Sequence, residues 1–219
     1  QAPNGVIDVV VDDEAQAVDA ARRYLSYFQG PLREWEAPDQ HALRNAIPEN
    51  RLRVYDVRKV IETVADVGSV MELRRDFGRA MVTALIRVEG RPIGVIANDP
   101  AHEGGAIASD EADKAARFMQ VCDAYDIPLL SLVDNPGFMV GPDSERKAAV
   151  RHTSRMFVTA AGMTVPMFIV VLRKCYGLGG IAMGSGAFQR AATFVVAWPT
   201  GEFGPMGLEG AVRLAYRAE

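Results

Sequence analysis

An apolar run at residues 165–172 constrains the fold of this chain more than any other stretch. A strand with one face in water alternates apolar and polar residues, whereas a run without alternation needs cover on both faces. A second run of this kind spans residues 128–133, and a segment with helical periodicity separates the two. Strands of this type joined by helices predict an α/β fold with a mostly parallel buried sheet and flanking helices.

A glycine-rich turn at residues 177–180 follows the longer run and opens a helix of small residues. The first N–H groups of a helix have no internal acceptor, and the helix dipole favours negative charge beside them. Such a turn can hold an oxyanion with backbone donors alone. Ligand sites in parallel sheets lie beyond the carboxyl ends of the strands, where this turn and residues 135–141 are both expected.

Local signals predict the remaining elements. Asp12 or Asp13 can cap a helix that runs to about residue 28, and Asp56 can cap a second helix. Three prolines make residues 30–50 the best candidate for a boundary between domains. The other predicted elements are a strand at 6–11, a hairpin of 81–88 and 93–97, a helix from 109, a helix over 145–161, a strand at 192–197 and a terminal helix.

Composition excludes several classes of function. With 24 Lys and Arg against 28 Asp and Glu, the net charge of −4 gives no electrostatic case for binding nucleic acid or an anionic membrane. Three histidines and two cysteines without a C-x-x-C motif argue against a metal site. No apolar run reaches the roughly 18 residues of a transmembrane helix. We expect a cytoplasmic protein with reduced thiols.

A series of motifs, in the same order along nearly the whole chain, resembles the carboxyltransferase β subunits of biotin-dependent acyl-CoA carboxylases. The motifs lie at residues 113–118, 122–129, 133–138, 151–152, 164–166, 173–177, 197–200, 206–207 and 209–212. The resemblance implies a crotonase-like fold and identifies the chain as the C-terminal half of such a subunit. It implies that residues 1–28 are the tail of the N-terminal half, 29–50 a linker, and 51–219 the biotin-side domain. The missing start Met and the uncapped terminal helix lead us to expect a fragment, cut at both ends.

The resemblance also implies a reaction, in which a carboxyl group moves from carboxybiotin to the α-carbon of a short acyl-CoA. Biotin releases CO₂, its ureido group takes the α-proton, and the enolate captures CO₂. The implied partners are a separate biotin carboxyl carrier protein, a biotin carboxylase and the acyl-CoA-binding N-terminal half. The implied assembly is a homo-oligomer, a dimer from which hexamers are built, with an exposed apolar face where the N-terminal half is absent.

The site residues implied by the resemblance surround the two turns. The backbone N–H groups of Leu178 and Gly179 form an oxyanion hole for the ureido oxygen, and no metal is involved. The biotin pocket is formed by Pro136, Gly137, Phe138, Tyr176, Gly177 and Gly180. Ile181 occupies the acyl-specificity position, where propionyl enzymes commonly have an acid. Leu178 replaces a glycine of the propionyl-type pattern, which keeps its N–H but requires a negative φ.

Three alternatives stay open at this point. The same chemistry can serve a biotin-dependent decarboxylase, or the fold can serve as a non-catalytic scaffold subunit. A Ser–His–Asp hydrolase is disfavoured because residues 184–186 lie inside a predicted helix and not at a strand–turn–helix elbow. His152 is interpreted as structural, His102 as part of a mobile loop, and Asp134 as a brace at a strand end.

Overall fold

The computed structural model describes residues 1–50, 52–184 and 193–217. The helices are α1 (Glu14–Ser26), α2 (Val57–Val64), α3 (Ser109–Ala124), α4 (Pro142–Arg146), α5 (Ala149–Gly162), α6 (Gly177–Met183) and α7 (Leu208–Ala215), with 3₁₀ turns at Ala2–Asn4, Gln40–Asn45 and Glu103–Gly105. The strands are β1 (Met71–Leu73), β2 (Met81–Val88), β3 (Arg91–Asn98), β4 (Leu129–Asn135), β5 (Met167–Tyr176), β6 (Thr193–Ala197) and β7 (Glu202–Gly204). Ala192 and residues 185–186, for which we predicted a strand and a helix, lie outside the described residues.

In the described part of the chain, seven strands form one sheet in the order β1-β2-β3-β4-β5-β6, and β7 also pairs with β5. Strands β1, β2 and β3 are antiparallel, and the pairings from β3 onward are parallel. The predicted hairpin of β2 and β3 is confirmed. The mostly parallel sheet is also confirmed, so the carboxyl ends of β4 and β5 meet at one edge.

Two apolar clusters cover the two faces of this sheet. The face that carries Leu85 packs against α3 and α5, through side chains that include Met119 and Met156. The opposite face carries Ile86 and packs against α2 through Ile61 and its neighbours. Because both faces of the sheet are covered by helices, the central strands are continuous apolar runs in the sequence.

The two helix caps that we predicted are present. Asp13 caps α1, where its side chain accepts a hydrogen bond from the Gln16 N–H, and Asp56 caps α2 by accepting from the Arg58 N–H. The carboxyl end of α1 packs onto the sheet region, since Tyr27 is buried and the Arg23 guanidinium donates to the Val70 carbonyl.

Two predictions of secondary structure are wrong. Residues 6–11 form no strand, and Val6 and Val10 are exposed, because β-branched residues form a strand only where a neighbouring strand pairs with them. The helix predicted over 145–161 is broken between α4 and α5, where Ala148 has φ of 55°. That left-handed conformation interrupts the helical hydrogen-bond ladder without a glycine or proline to signal it.

An apolar surface is exposed at the β6 side of the sheet. Phe168 of β5 and Phe194 of β6 are register partners, and both are exposed. The α7 helix buries none of its residues, which leaves Val212 and Leu214 in contact with solvent. None of the helices in the described ranges is long and apolar enough to cross a membrane.

Candidate active site

The start of α6 forms the first wall of the candidate site. Tyr176 ends β5 in an extended conformation, and Gly177 turns the chain into the helix with φ of +54°. A β-carbon at Gly177 would also stand 3.0 Å from the Pro205 carbonyl oxygen, so both conformation and space require glycine here. The Leu178 and Gly179 N–H groups lie in the first helical turn, where N–H groups have no acceptor within the helix, and Tyr176 before the helix makes no side-chain cap.

The turn after β4 forms the second wall and touches the first. A β-carbon at Gly179 would stand 2.7 Å from the Gly137 carbonyl carbon and 2.9 Å from the Asn135 amide nitrogen. Real β-carbons do not approach other atoms this closely, so position 179 accommodates glycine alone. Gly137 itself has φ of +132°, and its β-carbon position lies 4.0 Å from the Tyr176 carbonyl oxygen. The structure therefore brings Gly137, Tyr176 and Gly179 together.

The other residues of the predicted pocket are placed differently. Pro136 is exposed, whereas the half-buried Phe138 ring packs edge-on against Phe157 of α5 with 6.1 Å between ring centroids. Phe138 is held there by an isolated parallel β-bridge to Ile107. Gly180 is buried, and a β-carbon there would stand 2.8 Å from the Cys175 sulfur, so this residue packs onto β5.

A buried carboxylate braces the strand that leads into α6. The pairing of β4 with β5 shifts register between Val133 and Asn135, which leaves Asp134 opposite extra residues of β5. Its Oδ1 accepts from the Lys174 N–H at 3.2 Å, and its Oδ2 contacts Nε and Nη2 of Arg173 at 3.0 and 2.9 Å. Asp134 thus satisfies a strand N–H that the irregular pairing takes out of the ladder.

An open cleft of about 450 Å³ lies beside this brace. Polar side chains in its wall include Lys174, whose ammonium donates to the Gly104 carbonyl at 2.8 Å, and Glu202, which accepts from the Tyr176 hydroxyl. Met206 and Leu208 contribute apolar surface. Tyr176 therefore connects the two regions, with its backbone at the glycine turns and its side chain in the cleft.

The cysteine thiols are buried or half-buried, and two histidines contact carboxylates. Burial raises the pKa of the Cys175 thiol, and burial raises that of Cys122 to about 12, so neither is a ready nucleophile. His152 of α5 places Nδ1 2.8 Å from a carboxylate oxygen of Asp113 in α3. His102 lies 3.9 Å from a carboxylate oxygen of Asp99. In the described ranges no cluster of three or more metal-ligating side chains occurs.

The helix α6 presents an apolar surface next to its polar N-terminus. Leu178 and Ile181 are three positions apart and so lie on one face of the helix, with 63% and 45% of their surfaces exposed. The buried face consists of Gly179, Gly180, Ala182 and Met183. A ligand at the start of α6 would meet backbone donors and, beside them, two aliphatic side chains.

Some participants in this region were not predicted from the sequence. The strand β7 and Glu202 carry no local signal, because three residues are too few to show periodicity. Asn135 was read only as part of a turn, although the motif 133–138 contains it. Its burial between the two glycine turns follows from the pairing of β4 with β5, which is a contact between distant parts of the chain.

Comparison with known proteins identifies the family to which the chain is similar. The model of the carboxyl transferase domain family matches residues 1–219. The "biotin-dependent acetyl-/propionyl-coenzyme A carboxylase beta6 subunit" of Mycobacterium bovis is 38% identical over 98% of the chain, and the chain covers 46% of that protein. The chain thus spans less than half the length of this curated relative.

Two solved structures have the same fold. One is described as a "single-chain, multi-domain long-chain acyl-CoA carboxylase" and is 57% identical with a TM-score of 0.95. The match covers 100% of this chain and 22% of that one. The other, a transcarboxylase 12S structure with methylmalonyl-CoA and methylmalonic acid bound, is 35% identical with a TM-score of 0.87 and matches 98% of this chain with 42% of its own. These similarities confirm the α/β crotonase-like class expected from the sequence.

Proposed function

The chain belongs to the carboxyl transferase domain family, and on that premise we propose that it forms the biotin-side half of a carboxyltransferase acting on acyl-CoA. The observation that carries the proposal is the start of α6. The Leu178 and Gly179 N–H groups lie in the first turn of α6, where a helix offers no internal acceptor, and Gly179 admits no side chain there. An arrangement of this kind suits an oxygen that becomes negatively charged during reaction.

The residues of the chain would act by holding charge and position. Carboxybiotin supplies the carboxyl group that the acyl-CoA α-carbon receives. The Leu178 and Gly179 N–H groups hold the ureido oxygen, and each such donor in a dry site is worth about 3–4 kcal/mol of transition-state stabilisation. No side-chain base from this half is needed, in keeping with the raised thiol pKa of Cys175.

We propose that the planar cyclic urea of biotin approaches α6 between the two turns. Gly137 and Gly177 leave the approach to the α6 turn free of side chains, and the partly buried Gly137 stays accessible. The Tyr176 hydroxyl donates a hydrogen bond to Glu202, which fixes the junction between the turns and the cleft. We assign Pro136, Phe138 and Gly180 supporting roles. Phe138 anchors its turn on Phe157, and Gly180 packs α6 onto β5.

We further propose that the active site is completed by protein outside this chain. In this arrangement residues 1–28 are the tail of an acyl-CoA-binding half, 29–50 a linker and 51–219 the biotin-side domain. The transcarboxylase 12S structure is described in terms of hexamer assembly and substrate binding to a multienzyme core. By analogy we assign this chain to a cytoplasmic homo-oligomer that receives biotin on a carrier protein charged by a biotin carboxylase.

A longer acyl chain is a second candidate substrate beside the short one expected from the sequence. Leu178 and Ile181 expose aliphatic surface beside the proposed oxyanion hole, where an acid would suit a short acyl group. The solved structure that is 57% identical is described as a long-chain acyl-CoA carboxylase. Both observations favour an apolar acyl chain lying across α6.

The proposal is tested by removing one backbone donor without touching side-chain packing. Leu178 lies in the first helical turn, where proline is tolerated, and its side chain is exposed. In the complete natural protein, Leu178→Pro deletes the N–H, whereas Leu178→Ala retains it and reports the side-chain contribution alone. We expect kcat for biotin-dependent carboxyl transfer to be about 100-fold lower in the proline variant than in the alanine variant.

The outcomes separate the competing functions. Equal kcat in two folded variants would rule out the oxyanion assignment. Biotin-dependent carboxyl loss from acyl-CoA coupled to a sodium-pumping membrane complex would identify a decarboxylase. If the wild-type protein shows no turnover with its biotin partners, the chain is a non-catalytic scaffold subunit.

A further inference from the structure

The side chain of Asn135 contains a buried hydrogen-bond donor that the described protein leaves unused. Its Oδ1 accepts a hydrogen bond from the Gly137 N–H at 2.6 Å. Because a backbone N–H is only a donor, this bond fixes which end of the amide is oxygen and which is nitrogen. The nitrogen, Nδ2, is shielded from solvent and has no partner among the described residues. Buried donors without partners are rare in native proteins, since each costs free energy.

The unused donor lies next to the start of α6. Nδ2 is 2.9 Å from the position that a β-carbon would occupy at Gly179. A β-carbon is about 2.5 Å from its own backbone nitrogen, so Nδ2 and the Gly179 nitrogen are at most about 5.4 Å apart. Two donors that each bond one oxygen at about 2.9 Å can be separated by up to about 5.8 Å. The separation of the two nitrogens is therefore compatible with one shared acceptor oxygen.

We propose that Asn135 is a further catalytic residue, whose side-chain amide donates to the same oxyanion that the Leu178 and Gly179 N–H groups hold. The proposal rests on the proposed function, because that function supplies the oxyanion. Neither Gly137 nor Gly179 places a side chain between the amide and the α6 turn. A fixed donor in a site without water stabilises developing charge strongly, because it needs no reorganisation during the reaction.

The alternative is that Asn135 serves only the Gly137 turn. The two roles use different atoms of the amide and can be separated by substitution. Asn135→Asp keeps the size and the oxygen that accepts from Gly137, but it replaces the donor. Asn135→Ser is neutral and retains a shorter acceptor for the same turn.

Asn98 provides a matched control on the neighbouring strand. It is as fully buried as Asn135, but both ends of its amide are used within the protein. Its Nδ2 donates to the Gly105 carbonyl at 3.2 Å, and its Oδ1 accepts from the Asp134 N–H at 3.2 Å. Asn98→Ser therefore makes the same chemical change at a position where the amide has a purely structural role.

The experiment compares the three variants in the complete natural protein, with its carboxylated biotin carrier and acyl-CoA as substrates. We expect Asn135→Asp and Asn135→Ser to lower kcat by at least about 10-fold, with the KM for acyl-CoA within about 2-fold of wild type. We expect Asn135→Ser to stay folded with Tm close to that of wild type, because its hydroxyl still accepts from the Gly137 N–H. Asn98→Ser should show the reverse, a lower Tm with kcat of the folded enzyme within about 2-fold.

Each remaining result decides against a specific claim. Wild-type kcat in both folded Asn135 variants would overturn the inference and leave the proposed function standing. Failure of Asn135→Ser to fold would show that the amide is structural and would also overturn the inference. Absence of carboxyl transfer in the wild-type protein would instead overturn the proposed function on which the inference rests.

Discussion

Gly179 of α6 lies so close to Gly137 of the turn after β4 that a β-carbon at position 179 would stand 2.7 Å from the Gly137 carbonyl carbon. This contact joins two segments that are remote in sequence and that both follow sheet strands. It also fixes the relative position of the α6 donors and the Asn135 amide, since Asn135 bonds the same turn. The candidate site therefore depends on a contact between two residues that have no side chains.

Gly179→Ala should separate these turns. The added methyl group must displace backbone, which costs about 1–3 kcal/mol of unfolding free energy and moves the donors. We expect kcat for carboxyl transfer to fall by about 100-fold, because a displaced donor no longer meets the oxyanion. Gly162→Ala, at the end of α5 where a β-carbon meets nothing within 4 Å, should leave both properties near wild type. Urea unfolding and steady-state kinetics of the two variants test this contrast.

The parts of the fold that were predicted from the sequence depend on local interactions. Asp13 and Asp56 cap their helices because a carboxylate can accept from an N–H two or three residues ahead, at 2.8 and 3.0 Å here. The hairpin of β2 and β3 follows in the same way from a short turn between two apolar runs. Signals of this kind lie within a few residues of the structure that they specify.

The remainder depended on contacts between distant segments. The strand prediction at residues 6–11 failed because β-branched composition cannot show whether a partner strand exists. The unused amide of Asn135 is equally invisible in sequence, since a turn asparagine normally satisfies itself locally. Only the pairing of β4 with β5, together with the approach of Gly179, buries that amide at the site. The family resemblance predicted a site at the two turns, while their mutual contact required the structure.

Asp134→Asn should destabilise the protein strongly. The carboxylate is fully buried against Arg173, whose side chain is only 3% exposed. Loss of one partner leaves a buried guanidinium without its counter-charge, which costs about 3–5 kcal/mol. The exposed pair of Asp143 and Arg146 offers a control, and Asp143→Asn should cause no measurable change in stability because solvent screens that pair. Guanidinium chloride unfolding of both variants measures the difference, and equal stabilities would contradict the bracing role.

Lys114 should give stability a specific dependence on pH. It is buried in α3, donates to the Phe77 carbonyl at 2.8 Å, and burial lowers its pKa to about 8 from a normal value of 10.5. Between these values the unfolded chain holds the proton more tightly than the folded protein, so the free energy of unfolding rises with pH. Below about pH 8 the lysine is charged in both states, and the cost of burying that charge is present in full.

The Lys114→Met variant isolates this effect, because it removes the titrating group and leaves the others in place. The unfolding free energy of wild type minus that of the variant should increase as pH rises from about 8 to about 10.5. Urea unfolding at several pH values across this window measures the difference. A difference that is constant with pH, or that shrinks, would show that the lysine is not held in a medium that disfavours its charge.

Ile181→Asp should change which acyl-CoA the complete protein prefers. The side chain lies beside Leu178 on the exposed face of α6, where an apolar acyl chain would contact it. An acid there replaces aliphatic contact with a charge that must be desolvated, so long acyl chains lose more binding free energy than short ones. We expect the ratio of kcat/KM for a long acyl-CoA to that for propionyl-CoA to fall by at least about 10-fold. Val158→Asp, an equivalent change at an exposed position of α5, should leave this ratio unaltered. If both variants shift the ratio equally, the effect comes from surface charge, and Ile181 does not set acyl specificity.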